Sequence, residues 1–298
     1  MSAPPSPPLP RAQWEPLARA HGERVDELTA GHRERRSQGA KHPVEDFLFE
    51  YYNHRPAQLR RWHPGAGVAL ADAPEYEGRS GYVVDAQGVA RVDGEGVIAR
   101  RGRTVEFVRG LLGATLSRSP HLGCFGLHEW AMVYGLRPGE QRHEKLPLRL
   151  SQAETDAVVE RHPIRCSHFD AYRFFTEPAR PLNLLRPDRE TQAEHEQPGC
   201  LHAGMDVYKW CFKLAPLVPS SLTLDAFVLA REIRELDMAA SPYDVSAFGI
   251  DPVAVETASG KAEYLARQRD FAERSNALRR RLLDVLDTLA PAPAAAST

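Results

Sequence analysis

A chain of 298 residues with 42% hydrophobic and 26% charged residues has an ordinary globular composition and is long enough to bury a sizeable core. A formal charge of −2 excludes a global attraction to nucleic acid or anionic lipid and leaves only local basic stripes, His54 to His63 and Arg100, Arg101 and Arg103, for such contacts. No apolar run approaches the roughly 20 residues of a membrane span. The proline-rich start lacks the pattern of a signal peptide, and four cysteines with no CxxC pair do not read as a disulfide framework. A cytoplasmic chain with no membrane partner is expected.

In chain order, residues 1–12 and 290–298 read as disordered tails rich in proline and alanine, flanking a single domain over 13–289. Trp14, Leu17, His21, Val25 and Leu28 recur at helical spacing, and Ser37-Gln38-Gly39 ends that helix. His42-Pro43 is expected to open a second, strongly apolar helix through Phe47, Leu48, Phe49, Tyr51 and Tyr52, with Glu45 and Asp46 in its first turn. Between about 63 and 103, glycines separate short β-prone runs at 68–70, 82–84, 89–92 and 96–98, which reads as a small hairpin or meander insertion. Those glycines match neither GxGxxG nor GxxxxGK[ST], so no nucleotide cofactor is expected.

Helical patterning returns at 105–112 and at 124–134. Leu146 to Leu150 reads as a strand, and Ser151 with Glu154 as a capping box. Thr176 to Gly199 is expected to be a long loop of the kind that forms lids or binding walls. Helices over 200–213, about 221–238 and about 260–289 complete a mainly α fold, multi-helical with the small β insertion. Arg231 and Glu235, four residues apart, read as a surface ion pair, while Asp237 and Tyr243 reach towards a cleft around the break at Ser241-Pro242.

Three segments carry the chemistry. Cys124 to Trp130, Cys166 to Asp170 and Cys200 to Asp206 each place a cysteine before a histidine and a carboxylate at or just after it. His128, His168 and His202 with Glu129, Asp170 and Asp206 form a mixed nitrogen and oxygen set suited to Fe, Mn or Zn. His42 and Asp46 repeat the four-residue spacing of His202 and Asp206 and join the metal candidates. A Cys2His2 zinc site from Cys166, His168, Cys200 and His202 is a further alternative, though its one-residue spacings are not those of a structural zinc module. The one Glu-x-x-His, Glu140 to His143, lies in a loop. The same residues suit a metal-free reading, in which Asp206, Asp170 or Glu129 activates water at an N-glycosidic bond and Trp130, Tyr172, Tyr208 and Tyr243 hold the released base. A non-catalytic helical module with hydrogen-bonded histidines is the third reading.

The stretches Lys41–Phe49, Arg60–Gly65, Gly123–Tyr134, Ile164–Phe175, Gln197–Trp210 and Leu236–Asp244 together resemble an actinobacterial family commonly labelled 3-methyladenine DNA glycosylase. The resemblance runs from about residue 14 to 289. It implies DNA as partner and hydrolytic release of alkylated purines. A metal-dependent oxygenase or hydrolase with a small-molecule substrate is the alternative that the histidines support.

Overall fold

A computed structural model describes residues 6–137, 140 and 146–289. It is mainly helical, with one small antiparallel sheet. The helices are α1 (Arg11–Ser37), α2 (Phe47–Tyr51), α3 (Pro56–Leu59), α4 (Gly94–Leu116), α5 (Leu127–Ala131), α6 (Gln152–Glu160), α7 (Phe169–Tyr172), α8 (Gln192–His195), α9 (Leu201–Lys213), α10 (Ser220–Ala239) and α11 (Ala258–Thr288). Strands β1 (Ala69–Leu70), β2 (Tyr82–Val84) and β3 (Ala90–Val92) pair in the order β1-β3-β2, with Leu70 and Val84 both opposite Ala90. No helix among the described residues is long and apolar enough to cross a membrane.

At the centre is α9, in which every residue from Leu201 to Cys211 is buried. It lies against α10 and α11. Close approach is possible because Gly204 has no side chain: a Cβ there would stand 2.9 Å from both Ile233 Cδ1 on α10 and Ser275 Oγ on α11. The surrounding helices start where side chains satisfy their free amides. Asp93 accepts from Gly96 N at 2.9 Å, Thr257 from Gly260 N at 3.0 Å, and Ser151 and Glu154 form the expected reciprocal cap. One large apolar cluster runs through α4, α9, α10 and α11, and the sheet closes a smaller one around Trp14, Leu70 and Tyr76.

Several expectations are corrected. Leu9 pairs with Leu70 and α1 begins at Arg11, so the chain is built into the fold before residue 12; residues 1–5 and 290–298 lie outside the described residues. The run at 96–98 is helical, because Asp93 caps α4 ahead of it. Helix α2 starts at Phe47 rather than at Pro43, since the Asp46 carboxylate bonds His42 N, His32 and Arg35 across a turn. The 124–134 segment is helical only over α5, entered through left-handed Phe125 and Gly126. The strand expected at 146–150 is reduced to a single bridge between Leu148 and Tyr243. The expected Arg231–Glu235 pair gives way to Arg234 and Asp237, because the buried face of α10 carries Ala230, Ile233, Arg234 and Asp237.

His54, between α2 and α3, is buried with its ring stacked on Phe212 at 3.6 Å and edge-on to Tyr208 at 5.2 Å. Burial, aided by the charges of Lys213 and Lys209, lowers it from 6.5 to about 4. The unfolded chain therefore binds a proton first as the pH falls, so stability is expected to decline from pH 6.5 and to level off near pH 4. Such a shift is worth about 3 kcal/mol. His54→Phe, measured by urea denaturation across this window, is expected to remove that share of the decline. An unchanged pH profile would disprove it. The carboxylates of Asp46, Asp206 and Asp237, all held below 3.8, take effect only at lower pH.

Candidate metal centre

His128 comes from α5, His168 stands immediately before α7, and His202 sits in the first turn of α9. All three are buried. The rings of His128 and His202 meet edge to face with centroids 4.5 Å apart, and those of His168 and His202 lie 5.3 Å apart. Segments remote in sequence thus bring their imidazoles side by side, with His202 in the middle. Two further carboxylates, Asp237 and Glu196, complete two separate groups.

The first group is His128, His202 and Asp237, whose ligand-capable atoms all lie within 4.8 Å of one another. His128 Nε2–H donates to Asp237 Oδ1 at 2.9 Å. Arg234 Nη1 donates to Asp237 Oδ2 at 2.7 Å and to Glu129 Oε1 at 3.1 Å. Burial raises the Asp237 carboxyl, but His128, His202 and Arg234 outweigh it and hold the group well below the usual carboxylate range. Burial, with His128 adding to it, pushes His202 well below the usual imidazole range, so it is held neutral. Its Nδ1 is buried and has no hydrogen-bond partner among the described residues.

The second group is His168, Glu196 and Asp206. His168 Nε2 lies 3.3 Å from Asp206 Oδ2 and 3.4 Å from Glu196 Oε1, and Tyr52 OH donates to Asp206 Oδ1 at 2.7 Å. The Lys209 ammonium is paired directly with Asp206 and lies 3.7 Å from Asp170. Burial opposes ionisation of Asp206, His168 and Lys209 alike. Their mutual bonds and charges prevail, so Asp206 is held down and both His168 and Lys209 are raised. Burial lifts the Glu196 carboxyl.

The two groups differ in what they lack. The second contains its own cation, the Lys209 ammonium paired with Asp206, so a divalent ion would have to displace charge already present. The first sets one guanidinium against the carboxylates of Asp237 and Glu129, beside a neutral imidazole with a free nitrogen. Two imidazoles and a carboxylate with room on one side are the set that non-haem iron, manganese and zinc take. The 2.9 Å between His128 Nε2 and Asp237 Oδ1 is close to the spacing of about 3 Å between adjacent ligands ~2.1 Å from an octahedral ion, while a tetrahedral ion would need it to open to about 3.4 Å. An ion there would replace the proton that the two groups now share.

A cavity of about 430 Å³ opens beside this group. His202, Glu129, Arg234, Asp170 and Tyr243 line it, along with the stacked rings of Phe47 and Tyr51 at 4.9 Å. The Arg234 guanidinium lies over Phe47 at 3.9 Å, and its Nε and Nη2 have no acceptor among the described residues.

Of the residues singled out from the sequence, Glu129, Asp170, His202 and Tyr243 line this cavity, and His128 lies directly behind. Asp206 does not line it and instead anchors the second group. Trp130 is core, its Nε1–H donating to Ala240 O at 2.9 Å, and Tyr208 packs among Tyr52, His54 and Phe227. Tyr172 packs on Phe175. His42 and Asp46 stand apart from both groups: His42 Nδ1 accepts from Val44 N and Glu45 N, while Asp46 pairs with His32 and Arg35. No cysteine enters either group, and burial keeps the Cys166 thiol protonated by pushing it up to about 12. His143 lies outside the described residues.

Glu196, Lys209, Arg234 and Tyr52 were not anticipated. Glu196 lies in the stretch expected to be a long loop, where Glu196 to Gly199 are buried and Glu196 joins the second group. The helical phase of α10 was the one available signal: Arg234 and Asp237 fall with Ile233 on its apolar side, whereas Arg231 and Glu235 do not. No family model matches the chain, and no curated protein or solved structure matches it either.

Proposed function

We propose that this chain is a metal-dependent enzyme acting on a small molecule, with His128, His202 and Asp237 as ligands of one Fe, Mn or Zn ion. The observation that carries the reading is the convergence of three ligand-capable atoms within 4.8 Å beside a cavity of about 430 Å³. A bound divalent ion would polarise a substrate oxygen or lower the pKa of a bound water. Glu129 stands in the same cavity as the proton acceptor, and Arg234 orients both Glu129 and Asp237. Phe47, Tyr51 and Tyr243 supply apolar wall against which a substrate packs and water is excluded.

Elemental analysis and calorimetric titration of the purified chain with Zn²⁺, Mn²⁺ and Fe²⁺ test it. One ion per chain is expected. Affinity should fall at least about 100-fold in His202→Ala and in Asp237→Asn, with the helical circular dichroism retained. A metal-free wild type, or variants that bind as wild type does, would overturn the metal centre.

A second reading is favoured by Glu129 and Asp170 in one cavity with Phe47 and Phe174. There a carboxylate activates water for release of an alkylated purine from DNA, as the resemblance implies. Release of 3-methyladenine from methylated DNA by metal-free protein, lost in Glu129→Gln, would establish it in place of the metal enzyme. A stable protein with neither property would be a non-catalytic helical module.

A further inference from the structure

A second cavity, of about 380 Å³, adjoins the one above His202, and Asp170 lines both. Arg103 of α4, Arg189 of the segment before α8, and Lys209 and Lys213 of α9 converge on it from three parts of the chain. In a chain of net charge −2, that is a local concentration of positive charge. Among the described residues Arg103, Arg189 and Lys213 have no carboxylate partner, whereas Arg33, Arg274 and Arg281 elsewhere on the surface do. The one carboxylate of the cavity, Asp170, is already offset by Arg173 at 3.1 Å and Lys209 at 3.7 Å. Thr104 and Gln192 add uncharged hydrogen-bonding groups, and Phe107, 42% exposed, forms an apolar wall edge-on to Trp210.

Like charges gathered without counter-charges repel one another, and an anion between them removes that cost. Guanidinium forks from two directions match the oxygens of a phosphate, and an ammonium adds a third charge. Lys209 carries the cavity inward: its ammonium lines the cavity and is paired with Asp206 in the buried second group. We propose that this cavity binds a phosphate or diphosphate group of the substrate whose reacting end occupies the adjoining cavity above His202. The inference rests on that cavity being the reaction site. Arg103, Arg189 and Lys213 hold the anion, and the Asp170–Lys209 pair stands between the two ends of the bound molecule.

The test is calorimetric titration of the metal-free full chain with inorganic pyrophosphate, which needs no knowledge of the substrate. Saturable binding that weakens with added salt is expected. The triple variant R103Q/R189Q/K213Q should bind at least about 100-fold more weakly, because three charge-assisted contacts are lost. All three side chains are exposed and lack carboxylate partners, so the variant should keep wild-type thermal stability. No saturable binding by the wild type, or equal binding by the variant, overturns the proposal. Zn²⁺ and Mn²⁺ titrations of the same two proteins keep this result separate from the metal centre. Pyrophosphate binding without metal binding would leave the anion cavity standing and overturn the metal reading; metal binding without pyrophosphate binding would do the reverse.

Discussion

Arg234→Met is expected to cost about 3–5 kcal/mol of folding stability, the range for removing one partner from a buried charge pair. Arg234 is only 1% exposed and is shared by the carboxylates of Asp237 and Glu129. Without the guanidinium, both buried carboxylates lose their shared cation, and among the described residues His128 remains as a donor to Asp237 alone. One must take up a proton or draw in water, and either costs stability. The same variant carries a second expected result. A divalent ion bound by His128, His202 and Asp237 supplies the missing positive charge, so added Zn²⁺ or Mn²⁺ should restore more stability to the variant than it adds to wild type. At an ion concentration 100 times the dissociation constant, linkage is worth about 2.7 kcal/mol. Urea denaturation with and without metal measures both effects. A loss below about 1 kcal/mol would mean that Asp237 and Glu129 do not depend on this guanidinium.

Lys209→Met should be comparably damaging, at about 3–5 kcal/mol, for a different reason. Asp206 is ionised in a fully buried setting because Lys209 and His168 both face it, and Tyr52 OH completes its bonds. Methionine fills the space of the lysine stem but leaves the carboxylate short of charge. The double variant Asp206→Leu/Lys209→Met removes both ends of the pair and should recover much of the loss, since two desolvation costs disappear together. Chemical denaturation of the two single variants and the double variant gives the coupling directly. Additive losses would show that the pair is not a unit. Metal binding at the first group should survive in the double variant, because neither residue belongs to that group.

These two expectations concern residues that a linear reading undervalues. Local pattern alone gives the mainly α class, three of the four β-prone runs as strands, the capping box at Ser151 and the closing helices α9, α10 and α11 to within a few residues. Periodicity and caps act over one or two turns, so the chain reports them without its neighbours. The cysteine–histidine segments were also legible as chemistry, since imidazole and carboxylate are the ligand types of non-haem metal sites.

Tertiary structure decided which of those groups face one another. Asp237 reaches His128 across 109 residues and Arg234 reaches Glu129 across 105, separations at which no spacing rule applies. Local reasoning sends a charged side chain to solvent, because burying it alone is costly. Only the fold supplies the remote partner that reverses that balance, as Arg234 with Glu129 and Glu196 with His168 show. The same asymmetry explains His42 and Asp46, which have the spacing of His202 and Asp206 but are consumed by local turn bonds and by α1. Four-residue spacing sets which side chains share a face; what lies opposite that face is a property of the packed molecule.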